Sequence, residues 1–360
     1  MCFKSFKTIY SYLQLFYYIK KYYDNYTSRN NHDLTIMDNI KNSIIKCGAV
    51  AIKFSQWITP KLELIYLENN DIINENKPDW LIKMESFYEN CPNHDDNYTK
   101  TLFNSEFNEN FDDKYDINDI IGSGSMGQVY LVYNKINKRN EVMKVLHPEI
   151  NEQISTFRNF LKLLLYFPCI RKIKDNYFPF DVFGFIKDFE IQSNLINEAN
   201  HLLYFNKEYR ENQFIIIPEL YRISSKILIM SYEKGISFEK SKINDYQKDK
   251  IVNLFHLFIR TNQMLKNYNH GDLHPGNWKI KETDDTNPKL IVYDFGYCWS
   301  IEHNKFNIMG TLFFDTFEES DNTIRDIIDN LVLLMYYTIL IPKYDKKEQK
   351  ELYKLPTNCR

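Results

Sequence analysis

Three short runs rich in β-branched and aromatic residues, Tyr115–Ile121, Gln128–Tyr133 and Glu141–Leu146, follow one another between Gly-rich and Asn/Lys-rich turns. Strands this closely spaced form antiparallel hairpins, because a parallel pair needs a crossover of a dozen or more residues. Phe214–Ile217 and Lys226–Met230 read as two further strands, which makes a small five-stranded sheet. Helices are expected at Glu149–Tyr166 and Phe183–Tyr209, ahead of those last two strands. On the amino-terminal side Ile36, Ile40, Ile44, Ala51, Phe54 and Ile58 recur at helical spacing, and a second helix is expected near Trp80–Tyr88 between two Asn-rich stretches. After the Lys234-Gly235 break, Ile251, Leu254, Phe255, Phe258 and Ile259 share one helix face. The expected organisation is a helical extension over 1–113, a sheet-containing unit over 114–234 and a helical unit over 235–360, an α+β chain.

Composition narrows the classes. Over 360 residues a hydrophobic fraction of 44% and an aromatic fraction of 16% suit a packed core and not a disordered chain. A net charge of −3, with both signs mixed along the chain, gives no basic field for nucleic acid. The cysteines at 2, 47, 91, 169, 298 and 359 form no C-x-x-C pair, which argues against a zinc knuckle or disulfide framework and for reduced, intracellular thiols. The amino terminus is basic and aromatic through Phe3, Lys4, Phe6, Lys7 and Tyr10 to Lys21, but polar residues interrupt it before the ~20 apolar residues of a membrane span. It reads either as an interfacial helix or as a helix packed on the body of the protein. Leu331–Pro342 is apolar and too short to span, so a buried helix is expected there. A cytoplasmic protein, with or without peripheral membrane contact, is the expectation.

The chemistry-bearing residues come in a telling order. Gly122-Ser123-Gly124-Ser125-Met126-Gly127-Gln128-Val129 is a G-x-G-x-x-G-x-V loop between two expected strands, suited to bringing backbone N–H groups close to phosphate oxygens. A dinucleotide fold would need a helix after these glycines, and a strand follows instead. Lys144 then stands on the third strand, where a cation can reach phosphates, and Glu198 on the long helix is its best partner. His270-Gly271-Asp272-Leu273-His274-Pro275-Gly276-Asn277 follows, and after a short strand pair Asp294-Phe295-Gly296. Asp272 can orient a nucleophile's proton, while Asn277 and Asp294 offer hard oxygen ligands to Mg²⁺. His270 and His274 could instead ligate a hydrolytic metal, but that leaves the glycine loop, Lys144 and the Asp-Phe-Gly turn unused.

These motifs resemble those of the UbiB/ADCK (aarF-domain) family of atypical kinases. Leu146-His147-Pro148-Glu149-Ile150 is similar to the family's K-V-x-H-P-G-I continuation, and Lys46–Gln56 resembles its amino-terminal signature ending in K-x-G-Q. Phe87–Pro92 is a weaker match to the stretch before the family's small lobe. The resemblance, over roughly 40–296, implies a two-lobed protein-kinase-like fold with a small antiparallel sheet lobe, a helical lobe and a helical amino-terminal extension. It implies ATP and Mg²⁺ as cofactors, with Gly122, Ser123, Gly124, Ser125, Gly127, Val129, Lys144, Met230, Lys53 and Gln56 on the nucleotide side. Asp272, Lys144 and Glu198 are then the catalytic set, and Asn277 and Asp294 the metal ligands.

Three departures stand out. Ser55 replaces the signature's glycine. Gln192 and Asn194 stand where the family has an E-x-D pair, so an ion pair from Lys53 to that site is expected to become a neutral–charged hydrogen bond or to be absent. The glycine loop carries glycines where the family's is alanine-rich. The acceptor is left open between a protein, a lipid-linked small molecule at a membrane surface, and water. Two other readings remain: a nucleotide-binding pseudokinase scaffold, and an aminoglycoside- or choline-kinase-like phosphotransferase, whose enzymes also carry H-G-D-L-H-P-G-N.

Overall fold

The computed structural model describes residues 2–29, 34–70, 79–85, 93–177, 181–282 and 287–301. The stretches 87–92 and 331–342 singled out above lie outside them. The chain divides into two compact units, one of Met1–Ile251 with Asp272–Tyr297, the other of Val252–Gly271 with Cys298–Arg360.

The first unit opens with α1 (Cys2–Arg29), α2 (Leu34–Cys47), α3 (Ala49–Asn70) and α4 (Asp79–Glu85). The single helix expected over Ile36–Ile58 is two, broken at Gly48. That residue has φ +96°, a conformation that only glycine adopts without strain. Gln153 Oε1 accepts the Ala49 N–H at 2.9 Å and caps the new helix. Then come α5 (Asp96–Phe107), capped by the Asp95 carboxylate on Asn97 N–H, and α6 (Phe111–Lys114).

Strands β1 (Tyr115–Ser123), β2 (Gly127–Asn134) and β3 (Arg139–Leu146) follow as hairpins, as expected. Next are α7 (Ile150–Tyr166), α8 (Pro168–Tyr177), α9 (Val182–Gln192) and α10 (Leu195–Tyr209). The expected helix over Phe183–Tyr209 is thus divided in two. Ser193 turns its hydroxyl and its N–H back to Glu190 O, and Asn194 accepts the Ile196 N–H, so these side chains end one helix and cap the next.

The remaining strands are β4 (Ile215–Ile216), β5 (Leu220–Ile223) and β6 (Ile227–Ser231). The main sheet runs β1-β2-β3-β6-β5, antiparallel throughout. Its fifth strand is therefore Leu220–Ile223 and not the expected Phe214–Ile217. Pro218, which has no N–H to donate, separates the two segments, and β5 escapes an apolar-run reading because all four of its residues are only half-buried. One face of the sheet buries Tyr130, Val132, Met143, Val145, Ile227 and Ile229 against Phe103 and Phe111. A separate core joins α1, α2, α3, α7 and α9 through Tyr12, Ile44, Val50, Ile154 and Phe189.

Helix α11 (Asp245–Arg260) and a wider π-helical turn at Thr261–Lys266 lead to β7 (Asn269–His270). β8 (Trp278–Lys281) and β9 (Lys289–Val292) form the expected strand pair, and β4 joins it parallel to β9. β10 (Cys298–Trp299) pairs with β7 in the second unit. No helix among the described residues is long and apolar enough to cross a membrane.

Candidate active site

The register of the sheet assembles the first part of the site. Gly122 pairs with Val129, Val129 with Lys144, and Lys144 with Leu228, so the glycine loop closes directly above the lysine strand. Gly124 N–H donates to Gly127 O at 3.0 Å and closes the loop. A Cβ at Gly127 would lie 2.4 Å from Val145 O, so β2 can rest on β3 there only as glycine. A Cβ at Gly122 would meet open space, and one at Gly124 only an ordinary contact with Gly127 O at 3.9 Å. Packing does not demand glycine at these two positions, and the bare backbone there is open to close approach. Ser123 Oγ is buried with no hydrogen-bond partner, and Ser125 is buried beside it. Met230 is buried on β6 opposite Val142.

Lys144 lies on that sheet with 10% of its side chain exposed. Its Nζ donates to both oxygens of Glu198, at 2.9 and 2.8 Å, and to Asp294 Oδ1 at 2.9 Å. Burial disfavours the ammonium, but Asp294 and Glu198 beside it outweigh burial and lift its pKa above the ordinary lysine value. Burial pushes Glu198 up to about 7, against the pull of Lys144. At Asp294 burial also favours the protonated form, yet Lys144, Lys53 and the Gly296 N–H hold the carboxyl well below the usual range. Asp294 has φ +53°, an uncommon left-handed conformation for a side-chain-bearing residue.

Asn277 and Asp294 are brought to one end of the β8–β9 hairpin. Trp278 pairs with Val292, and Tyr293 N–H donates to Asn277 O at 2.8 Å. Asn277 Nδ2 donates to Asp272 O at 2.7 Å, so the amide oxygen is the end left to act as an acceptor or ligand. The Asn277 amide oxygen and the Asp294 carboxylate are hard oxygen donors that would suit Mg²⁺.

Lys53 comes to this region from α3. Its Nζ stands 3.3 Å from Asp272 Oδ2, a different partner from the Gln192 and Asn194 site weighed above. Gln56 is half-buried one turn further along α3. Ser55, at the signature's glycine position, is buried and returns its hydroxyl to Ala51 O at 2.9 Å, which satisfies it inside the helix.

Two histidines stand behind the loop, His147 of the His-Pro continuation and His94, which no motif flagged. His147 Nε2 lies 2.9 Å from Gly124 O, and its Nδ1 lies 2.8 Å from His94 Nδ1. A carbonyl only accepts, so neutral His147 carries its proton on Nε2 and His94 donates from Nδ1. His94 Nε2 then accepts from Thr99. Burial first, and His147 second, push His94 down to about 4, and burial also lowers His147. The pair anchors the glycine loop from behind. Only the His-Pro continuation after the lysine strand hinted at this. His201, in contact with the Asp-Phe-Gly turn, is the other addition, and its spacing of three from Glu198 was the available signal.

A family model described as the ABC1 atypical kinase-like domain matches residues 86–328. The chain belongs to the ABC1 atypical kinase-like family. Among ABC1 relatives, the Dictyostelium discoideum protein named probable serine/threonine-protein kinase abkC is 30% identical over 257 residues, covering 68% of this chain and 35% of its own length. The Shewanella halifaxensis protein named probable protein kinase UbiB is 23% identical over 310 residues, covering 81% of this chain and 51% of its own length. The chain thus spans about half, or less, of the length of these two curated relatives. Among solved structures, the complex of Rv3197 with erythromycin from Mycobacterium tuberculosis aligns with a TM-score of 0.47 at 16% identity, over 72% of this chain and 65% of that one. The Rio2 kinase–ADP/Mg²⁺–phosphoaspartate complex from Chaetomium thermophilum aligns with a TM-score of 0.36 at 18% identity, over 71% and 73%. The ABC1 family membership and the antiparallel sheet with its helices make this the α+β kinase-like fold expected from the sequence.

Proposed function

We propose that the chain binds ATP with Mg²⁺ and acts as a phosphotransferase or ATPase. The observation that carries this reading is the buried Lys144, held by both oxygens of Glu198 and shared with Asp294. Glu198 fixes the ammonium on the strand next to the one that follows the glycine loop, where it can take the α- and β-phosphates. Asn277 and Asp294 would hold the metal. Bound Mg-ATP would supply the transferable phosphoryl group and the cation that neutralises its charge. Asp272 then orients the acceptor's proton.

The acceptor at Asp272 is the finer question. Lys53 lies against that carboxylate, so an acceptor hydroxyl must displace it or be small enough to share the space. A single contact between two part-exposed side chains can be exchanged, so the acceptor at Asp272 stays open between water, a compact lipid-linked alcohol and a protein hydroxyl. The same contact supports a second reading, a nucleotide-binding scaffold whose catalytic aspartate stays engaged. Contact with an anionic membrane surface is supported by α1, which exposes Tyr10, Leu13, Phe16 and Tyr17 along with Lys20 and Lys21.

Thermal unfolding of the full chain with and without Mg-ATP tests the nucleotide site. A ligand at about 100 times its dissociation constant stabilises by roughly 2.7 kcal/mol, and Asp294→Ala should remove the Mg²⁺-dependent part of that shift. No shift at millimolar nucleotide overturns the reading. If nucleotide binds but Asp272→Asn leaves phosphate release unchanged, the scaffold reading replaces the enzyme. Sedimentation with anionic but not neutral vesicles is expected, and equal recovery with both would remove the membrane component.

A further inference from the structure

Glu198 and His201 are three residues apart on α10, so both side chains leave one face of the helix. Glu198 goes to Lys144. His201 goes to the turn that carries Asp294: its Nδ1 is 2.8 Å from the carbonyl oxygen of Phe295. A carbonyl has no proton to give, so Nδ1 is the donor. That carbonyl belongs to the peptide unit joining Phe295 to Gly296, and a peptide unit is planar and turns as one piece. Its other end, the Gly296 N–H, donates to Asp294 Oδ1 at 3.2 Å. The same Oδ1 takes Lys144 Nζ at 2.9 Å.

The contacts therefore close a ring. From Glu198 it runs through Lys144 to Asp294 Oδ1, through the Gly296 N–H to the Phe295 carbonyl, and through His201 back to α10. With Oδ1 engaged twice by the protein, Oδ2 is the oxygen left to a cation. The fit is close, since a Cβ at Gly296 would lie 3.0 Å from Asp294 Oδ1 and 3.4 Å from Glu198 Oε2. Phe295 adds its ring against Phe205, with centroids 4.8 Å apart. Asp294 itself is in the left-handed conformation, which Asp visits occasionally and most other side-chain-bearing residues avoid.

We propose that His201 is a positioning residue: by holding the Phe295–Gly296 peptide it sets the orientation of the Asp294 carboxylate, and so the affinity of the site for a divalent cation. The inference rests on the Mg-nucleotide reading for its cation, but the ring of contacts can be tested without one.

The experiment uses the full chain as wild type, His201→Leu and His201→Asn. Leucine keeps bulk and loses the donor; the Asn amide nitrogen can stand near the place of Nδ1. Two quantities are read: amide hydrogen exchange of the segment 294–297 in the free protein, and ADP binding in EDTA and then across a Mg²⁺ titration. His201→Leu is expected to leave ADP binding in EDTA within about twofold and to raise the Mg²⁺ midpoint about fivefold, the worth of one neutral hydrogen bond. Exchange should quicken in 294–297 and not along α10, and His201→Asn should recover both readouts. An unchanged Mg²⁺ midpoint in a wild type that does respond to Mg²⁺ overturns the proposal, and so does exchange that quickens along all of α10. A wild type that binds no ADP at all defeats the nucleotide reading instead. In that case selective exchange in 294–297 still supports the hold of His201 on the turn, and unaltered exchange overturns it.

Discussion

Two lysines of the candidate site, Lys144 and Lys53, meet three acidic side chains under opposite conditions. Lys144 has 10% of its side chain exposed and makes three contacts of 2.8 to 2.9 Å with Glu198 and Asp294. Lys53 has 24% exposed and makes one contact of 3.3 Å with Asp272, itself 37% exposed. The first lysine is built into a sheet, and its partners lose a buried counter-charge if it goes. The second is a wet, single contact of the kind that contributes little to stability and can be exchanged for another partner. On the proposed function the first would be a cation fixed before nucleotide arrives, and the second would mark an acceptor position that can be vacated.

The largest expected effect comes from Lys144→Met, which strands the Glu198 carboxylate inside the protein and should cost about 3–5 kcal/mol in denaturant unfolding. Glu198 stands at about 7 even with its lysine beside it. Without the lysine it is protonated more readily, so the cost should shrink as the pH is lowered. A variant as stable as wild type at pH 8 would break the contrast between the two lysines. Gly127→Ala attacks the platform beneath Lys144, because the new methyl meets Val145 O. A loss of about 1–3 kcal/mol is expected from such overpacking, with a displaced glycine loop and weaker nucleotide binding alongside.

Acid provides the next test. His94 is lowered to about 4, so between pH 6.5 and 4 the unfolded chain binds a proton that the folded chain refuses. Stability carried by this histidine is therefore present above about pH 6.5 and lost as the pH falls through that window, by about 1–2 kcal/mol for a half-buried group. Glu198 acts in the opposite direction over much of the same range, being protonated in the folded chain first. The measurement is therefore the difference in pH slope between wild type and His94→Gln; identical slopes would remove the histidine pair from the loop's support. Lys53→Met should have the smallest effect on folding, under about 1 kcal/mol. It should still speed phosphate release from ATP several-fold if Lys53 holds Asp272 back. A loss of stability as large as that of Lys144→Met would make the two lysines alike.

Much of this could be read along the chain because the motifs are local. The glycine loop needs only its own residues and the flanking strands, Lys144 follows from its place on the third strand, and Asn277 and Asp294 sit at the ends of one short hairpin. The helix hydrophobic patterns were visible for the same reason, but their interruptions were not. The break at Gly48 is backed by Gln153, which lies 104 residues beyond Ala49 and caps the helix that begins there. Ser193 and Asn194 end and cap helices through bonds that compete with a continuing pattern and leave no trace in it. Leu220–Ile223 takes the edge of the main sheet, and the more apolar Ile215–Ile216 goes to β9, because strand choice is settled by which neighbour offers a matching register.

The residue types needed for phosphate and metal chemistry, and their order, were determined by the amino-acid sequence alone, since each motif spans a few residues whose backbone geometry is local. Which groups touch was decided by the tertiary structure. Lys53 reaches Asp272 across 219 residues, Lys144 reaches Asp294 across 150, and His201 reaches Phe295 across 94. Such pairs depend on sheet register and on the way helices pack, and a difference of one residue in either would carry the side chain to another face.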